Sequence, residues 1–259
     1  MSTPETRVIA GRNPVREALQ QDDGRIEKVL VQQGGSLGEI RAAAKAAGVP
    51  VQTVPQQKLD RLAPKARHQG VVAIAAPVAY ADVAAMLHNI AADRDVVRAT
   101  KPILVALDEI EDPHNFGAIL RSAVAAGASG VLVPERRMAP LSAVTVKASA
   151  GGALRIPIAR VPNLAETLLG LKERSYWIAG LAGEAGGKQP GTETVWAYDW
   201  DRPVCIVVGN EGRGLRERVR SVCDTLVSIP MRGPMESLNA SVAAGIALFA
   251  AARTRDDGA

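Results

Sequence analysis

Three polar turns in this 259-residue chain follow apolar runs and carry side chains able to hold or move a proton. The first is Asp108-Glu109-Ile110-Glu111-Asp112-Pro113-His114-Asn115-Phe116-Gly117-Ala118-Ile119-Leu120-Arg121-Ser122. Its Asn115 and Arg121 bracket a helix start expected at Ala118. An arginine there could simply pair with Glu109 or Asp112. The second turn is Val208-Gly209-Asn210-Glu211-Gly212-Arg213-Gly214-Leu215. Three glycines after a strand let backbone approach a flat ligand or a pyrophosphate closely. The spacing G-x-x-G-x-G matches neither the dinucleotide fingerprint nor the phosphate loop of nucleotide hydrolases, so a nicotinamide or ATP site is not supported. A tight strand-to-helix turn is the plainer reading, but it leaves the carboxylate of Glu211 without a task. The third turn runs from Ile229-Pro230-Met231 through Ser237-Leu238-Asn239 to Ser241. Ser237 reads as the N-cap of the last helix, which explains it structurally. Asn239, inside the first turn on that reading, has no such role. A serine hydrolase built on Ser237 fails, because the histidines are His68, His88 and His114 and no G-x-S-x-G elbow exists. His114 reads as a turn residue.

The elements that must position these turns alternate. In the first third, Val8-Ile9-Ala10-Gly11, Val29-Leu30-Val31, Val51 to Val54 and Val71 to Ala75 read as strands. Asn13-Pro14 opens a helix to about Leu19, with further helices over Leu37–Ala47 and Gln56–Leu62. Asp82 caps a helix to Ala92, and a polar stretch from Asp93 leads to Lys101. From Pro102 the rhythm is one of buried strands and helices: Ile103 to Leu107, a helix over Ala118–Ala126, then Val131 to Val133, Trp177 to Leu181, Cys205 to Val208 and Leu226 to Ile229. That pattern predicts an α/β domain with a parallel sheet. Ligands of such sheets gather beyond the carboxyl ends of the strands, where the three turns fall. The last helix, Leu238 to Arg253, is apolar nearly all round, which suggests a subunit interface or extensive packing within its domain. The expected organisation is a small α/β domain over 1–77, a helix and linker over 78–100, and the larger domain over 101–259.

Composition narrows the classes. Hydrophobic residues make up 47% and charged residues 22%, values of a folded globular chain rather than a disordered or fibrous one. No stretch approaches the ~18 apolar residues of a membrane span. Residues 1–11 lack a signal-peptide core, so a cytoplasmic protein is expected. Two cysteines, Cys205 and Cys223, cannot make a disulfide framework or a zinc site, and no metal is expected. Two Phe, three Trp and three Tyr are too few for RNA recognition by rows of stacked aromatics. Residues 1–77 hold eleven Lys and Arg against seven Asp and Glu, which accounts for the whole net charge of +4. The first third is therefore the part suited to a polyanion, or else a solvated mixed surface.

Taken together and in this order, the three turns resemble the three motifs of the SpoU (TrmH-like) branch of the SPOUT RNA ribose 2′-O-methyltransferases. The resemblance covers residues 100 to 253. The first third is similar to that family's appended substrate-binding domain and to kink-turn-binding ribosomal proteins. Ile9-Ala10-Gly11-Arg12-Asn13-Pro14-Val15 and Gln69-Gly70-Val71 resemble the subgroup that modifies a guanosine in the peptidyl-transferase-centre P-loop of 23S ribosomal RNA.

The resemblance implies a deep trefoil knot in the C-terminal third and S-adenosylmethionine as cofactor. Backbone groups at Gly209, Ile229 and Leu238 are then expected to hold it, with Leu181, Gly183, Asn210, Gly212 and Met231. It implies Asn115, Arg121, Glu211, Ser237 and Asn239 around the reacting hydroxyl. RNA contact is implied for Arg12, Asn13, Arg16, Arg67 and Gln69, and a homodimer formed through the knot and the last helix. Arg232 and Pro234-Met235-Glu236 stand where smaller residues are more usual. Alternatives are a transfer RNA or resistance-type ribosomal RNA enzyme, or a non-catalytic RNA-binding protein on the same fold.

Overall fold

Two sheets organise the chain. The computed structural model describes residues 7–20, 26–34, 37–64, 66–75, 78–182 and 192–256. Contacts divide it into two units, Met1–Tyr80 with Pro140–Lys147, and Ala81–Ala139 with Ala148–Ala259.

The first unit contains β1 (Arg7–Ala10), α1 (Arg12–Gln20), β2 (Ile26–Gln32), α2 (Gly38–Ala46), β3 (Val51–Val54), α3 (Gln56–Leu62) and β4 (Val71–Ala75). Its sheet order is β1-β4-β2-β3, with β4 antiparallel to β1 and β2, and β3 parallel to β2. Successive side chains of a strand point to opposite faces. Val29, Val31, Val71 and Ala73 therefore pack with Val15, Leu19, Ile40 and Ala44 on one face. Leu30 and Val72 pack with Val54 and Leu59 on the other. Burial on both faces explains why β4 reads as a continuous apolar run. The buried Glu27 carboxylate accepts the Tyr80 hydroxyl at 2.9 Å and the Leu141 N–H at 2.6 Å. Through it the distant segment 140–147 joins this unit, which no local pattern announces.

The second unit begins with α4 (Val83–Ile90) and α5 (Arg94–Thr100). Asp82 caps α4 by accepting from Ala85 N. The stretch expected as a polar connection is instead α5, capped by Asp93, which accepts from Asp95 N and Val96 N. Met86, Leu87 and Val97 enter this unit's core, so 83–100 is a packed part of it rather than a linker. Next come β5 (Ile103–Asp108), α6 (Pro113–Ala125), β6 (Gly130–Pro134), α7 (Ala143–Ala148), β7 (Ile158–Val161), α8 (Leu164–Glu173) and β8 (Trp177–Leu181). The chain ends with β9 (Thr192–Thr194), β10 (Val204–Gly209), α9 (Glu217–Ser221), β11 (Thr225–Ser228) and α10 (Ala240–Asp256). Most of α7 lies in the segment that belongs to the first unit.

Among the described residues the sheet order is β7-β6-β5-β10-β8-β11-β9, and every pair is parallel. From β5 the chain moves outward through β6 and β7, then returns to the far side of β10. The switch point of the sheet therefore lies between β5 and β10. Gly209 stands in register with Asp108 there, so the first two turns leave the sheet side by side.

Two expectations about helices change. α6 starts at Pro113, five residues before the expected Ala118, because Asp112 accepts from His114 N and proline occupies the first turn. His114 is thus helical. α10 starts at Ala240 rather than Leu238. Its inward face is Ala240, Ala244, Ala247, Leu248 and Ala251, all buried, while Val242 and Phe249 are exposed at 50% and 53%. The helix that reads as apolar all round is buried on one side within its own chain. Among the described residues no helix is long and apolar enough to cross a membrane.

Candidate active site

At the end of β5 the chain places two acids under the glycine-rich turn. Asp108, fully buried, accepts from Arg216 N at 2.8 Å and Arg216 Nε at 2.7 Å. Glu109 comes next in a left-handed conformation (φ 61°), and its carbonyl accepts Asn210 Nδ2 at 3.0 Å. The Glu109 carboxylate, almost fully enclosed, faces Arg137 at 3.3 Å, Arg216 at 3.6 Å and Arg213 at 4.0 Å. Losing Arg216 would leave Asp108 buried without a counter-charge, a cost of roughly 3–5 kcal/mol. Arg137 and Arg213, 66% and 76% exposed, contribute about 0–1 kcal/mol each. Arg216 therefore holds the two turns together. The sequence offers Glu109 and Asp112 as simple partners for Arg121, and the structure uses neither in that way. Glu109 pairs with Arg137, Arg213 and Arg216, and Asp112 caps α6.

The glycine-rich turn closes on itself. Asn210 and Gly214 exchange backbone hydrogen bonds of 3.1 and 2.8 Å, and Asn210 Oδ1 accepts from Gly212 N and Arg213 N. A Cβ at Gly209 would lie 2.4 Å from the Gly214 carbonyl carbon, so this position excludes every side chain.

Three side chains from the three turns converge above it. Asn115 Nδ2 donates to Glu211 Oε1 at 2.7 Å. Asn239 Nδ2 donates to the same oxygen and to Asn115 Oδ1, the latter at 3.0 Å. Ala240 N adds a donor to Glu211 Oε1 at 3.3 Å. Glu211 Oε2 carries no hydrogen bond among the described residues. The N-cap expected at Ser237 is Asn239, whose Oδ1 accepts from Ser241 N at 2.9 Å and Val242 N at 3.4 Å. One amide thus starts α10 with its oxygen and grips the carboxylate with its nitrogen. Ser237 is exposed and makes no hydrogen bond among the described residues. Arg121, exposed on α6, has no hydrogen-bond or ion-pair partner among them. Of the five expected catalytic residues, the structure joins Asn115, Glu211 and Asn239 and leaves Arg121 and Ser237 outside that cluster.

Beside the cluster lies a cavity of about 1020 Å³. Leu181, Gly209, Asn210, Gly212, Ile229, Met231 and Leu238 line it, as do Glu211 and Ser237. Gly183 lies outside the described residues. Sequence reading misses the Thr192, Glu193 and Thr194 wall and the place of Glu236. The three-residue strand β9 is too short for a periodicity signal, and Glu236 stands out in the sequence only as a departure from the family pattern. The lining suits S-adenosylmethionine. Apolar Leu181, Ile229, Met231 and Leu238 can cover a purine face, the side-chain-free stretch at Gly209 admits close backbone approach, and Glu193 and Glu236 complement a cation.

Among the described residues no group of three His, Cys, Asp or Glu could hold a metal ion. Burial pushes both thiols up, Cys223 to about 12, so they stay protonated and unreactive.

In the first unit, Arg12, Arg67 and Gln69 line a second cavity, of about 660 Å³. Asn13 and Arg16 pair with each other, Arg16 Nη2 donating to Asn13 Oδ1 at 3.2 Å, and are not among its lining residues.

Comparison with known proteins places both units. Residues 102–249 match the SpoU rRNA Methylase family, and residues 8–81 match the RNA 2′-O ribose methyltransferase substrate-binding family. An uncharacterized tRNA/rRNA methyltransferase of Mycobacterium ulcerans is 42% identical over 256 residues, spanning 98% of this chain and 79% of the relative. The SpoU methyltransferase AviRb from Streptomyces viridochromogenes, solved in complex with AdoMet, is 25% identical. It superposes with a TM-score of 0.59 over 98% of this chain and 92% of that one. An AdoMet-bound rRNA methyltransferase from Sinorhizobium meliloti is 26% identical, with a TM-score of 0.57 over 96% and 87%.

Proposed function

This chain belongs to the SpoU rRNA methylase family and is an S-adenosylmethionine-dependent RNA 2′-O-methyltransferase; we propose that its target is a guanosine in the peptidyl-transferase-centre P-loop of 23S ribosomal RNA. The observation that carries the catalytic part of this reading is the meeting of Asn115, Glu211 and Asn239 beside the large cavity. The target rests on Ile9 to Val15 and Gln69-Gly70-Val71, whose resemblance to that subgroup is a matter of sequence. The enzyme works in the cytoplasm.

S-adenosylmethionine supplies an electrophilic methyl group on a cationic sulfur, so no leaving group has to be activated. What remains for the protein is to orient the ribose hydroxyl, exclude water and take one proton. Glu211 takes it at Oε2, the oxygen left over when Asn115, Asn239 and Ala240 N occupy Oε1. Those three donors fix the carboxylate plane. Arg121 does not act as a base, because a guanidinium stays charged in proteins. It stabilises the developing alkoxide or grips the adjacent phosphate. Ser237, exposed at the cavity edge, orients the hydroxyl.

The working unit is a homodimer joined through the knot and α10. Two observations support this. The outward Val242 and Phe249 form an exposed apolar stripe, two turns of α10 apart. Arg121 lies six residues beyond Asn115 on α6, about 120° apart round the helix at 100° per residue, and is exposed without a bond to its own chain's cluster. A partner's Glu211 cluster is the natural place for it to act.

Mapping of ribose methylation by reverse transcription, in cells with and without the gene, tests the target. Loss of one modified guanosine in the 23S P-loop is expected. Loss at a transfer RNA guanosine instead would overturn the assignment while leaving the chemistry intact.

A further inference from the structure

The cavity of the first unit has features that general attraction to a polyanion does not need. It lies between α3, the end of β2 and the turn before β4. That turn is held in an unusual conformation: Gln69 has φ 50° and Gly70 has φ 81°. A non-glycine residue held at positive φ costs energy that the surroundings must offset, and such residues cluster at binding sites. Here the surroundings are specific. Arg12 N donates to Gln69 Oε1 at 3.2 Å, and Arg12 Nε reaches Gln69 O at 3.4 Å. Gly70 N donates to His68 Nδ1 at 3.0 Å, which leaves the proton on Nε2 to meet Asp60 Oδ1 at 2.8 Å. Glycine at position 70 meets the positive φ, and a Cβ there would crowd Gln32 Oε1 at 3.2 Å.

The result is a linked pair of amides on the cavity wall. Gln32 Nε2 donates to Gln56 Oε1 at 3.2 Å. Gln32 Oε1 and Gln56 Nε2 then remain, an acceptor beside a donor, with no hydrogen bond to any described residue. Ala63, Pro64 and Ala66 supply small apolar surface next to them. Arg12 and Arg67 stand exposed at the rim, and Arg67 has no side-chain partner among the described residues.

We infer that this cavity receives one unpaired nucleotide of the RNA substrate, its base edge read by Gln32 and Gln56 and its phosphates met by Arg12 and Arg67. Base edges present a donor next to an acceptor, the complement of this amide pair, and single-stranded bases are the usual target of sequence-specific RNA recognition. The Asp60–His68 pair acts through the turn, as a positioning device. The inference rests on the reading of this unit as the RNA-binding one, and it does not depend on which RNA is modified.

The test has two arms. Side-chain amide resonances of Gln32 and Gln56 are followed while adenosine, guanosine, cytidine or uridine 5′-monophosphate is added, with ribose 5-phosphate as the base-free control. Saturable shifts with at least one nucleotide, absent with ribose 5-phosphate, are expected. Equal shifts with the control, or none with any nucleotide, would overturn the inference. In the second arm, Gln32→Ala/Gln56→Ala and the milder Gln56→Glu are compared with the native protein for retention of total ribosomal and total transfer RNA on filters. Affinity for whichever pool binds should fall about tenfold, the scale of one lost base contact, while cofactor affinity measured calorimetrically stays within about twofold. An unchanged RNA affinity in variants that still bind the cofactor sinks the inference alone. A Gln-dependent affinity for transfer RNA, with no 23S guanosine lost in the mapping experiment, sinks the target assignment alone.

Discussion

The two cavities of this protein are built by opposite means. The one beside Glu211 is lined by the ends of parallel strands and the turns that leave them: apolar side chains, glycine backbone and a few carboxylates. The one beside Gln32 is lined by amides, guanidiniums and an aspartate–histidine pair tied to one another by hydrogen bonds. In the first, shape comes from the sheet, because β5 and β10 must lie in register before their turns can meet. In the second, shape comes from a single turn at positive φ and the side chains that brace it. The difference fits two ligands. A small cofactor with a flat purine gains from apolar walls and close backbone, whereas a nucleotide within a long polyanion gains from polar groups it can exchange for water.

The largest effect should come from Gly209. Alanine there drives a Cβ to 2.4 Å from the Gly214 carbonyl carbon, so the glycine-rich turn must open. Cofactor affinity should fall by roughly a hundredfold or more, the equivalent of about 3 kcal/mol of backbone strain. RNA retention by the first unit should survive, and if calorimetry shows normal cofactor binding, the cofactor does not lie against this turn. Next are the groups proposed to act on the ribose hydroxyl. Glu211→Gln should cut the rate at saturating RNA by about 10²–10⁴ with cofactor affinity nearly intact, as expected for loss of a general base. Arg121→Lys should cost about 10²-fold, the scale of one lost donor to a developing oxyanion. If single-turnover rates of Arg121→Lys match the native enzyme, the two-pronged geometry of the guanidinium is not used.

A smaller effect is expected at α10. Val242→Asp with Phe249→Asp charges the exposed stripe without touching the buried face, and light scattering should then report monomers with weakened methyl transfer. Leu248→Asp cannot serve this purpose, because Leu248 is fully buried in its own chain and its replacement unfolds the unit. A persistent, active dimer of the double variant would remove α10 from the interface. The smallest effect separates the two candidate caps. Asn239→Ala should cost about 0.5–2 kcal/mol in thermal or denaturant unfolding. Ser237→Ala, at an exposed and unbonded position, should stay within about 0.5 kcal/mol. The reverse order would restore Ser237 as the cap.

Much is legible locally. β4 and β8 are apolar runs, β3 lies between Pro50 and Pro55, α3 follows Pro55, and all four lie where the sequence reading puts them. The cap at Asp82 is legible for the same reason. Misreadings arise where local signals are weak or doubled. The start of α6 is polar, so Ala118 draws attention away from Asp112-Pro113. α5 is short, and its one buried apolar residue is Val97. Ser237 and Asn239 are both good capping residues two positions apart, and only the competing bonds of Asn239 decide between them. β9 and segment 140–147 have no pattern long enough to read.

By itself, then, the order of residues determined which short segments coil, which extend, and which three turns carry amide, carboxylate and guanidinium groups, since those depend on neighbours a few positions away. That Asn115, Glu211 and Asn239 touch was decided only by the sheet, which inserts β10 between β5 and β8 and so brings together side chains 96 and 124 residues apart. The same holds for the buried aspartate under the glycine-rich turn, whose counter-charge lies 108 positions away. For Asp108 the reason is burial, which leaves the carboxylate no partner but Arg216, whereas the more exposed Asn115, Glu211 and Asn239 meet because the sheet sets the three turns side by side.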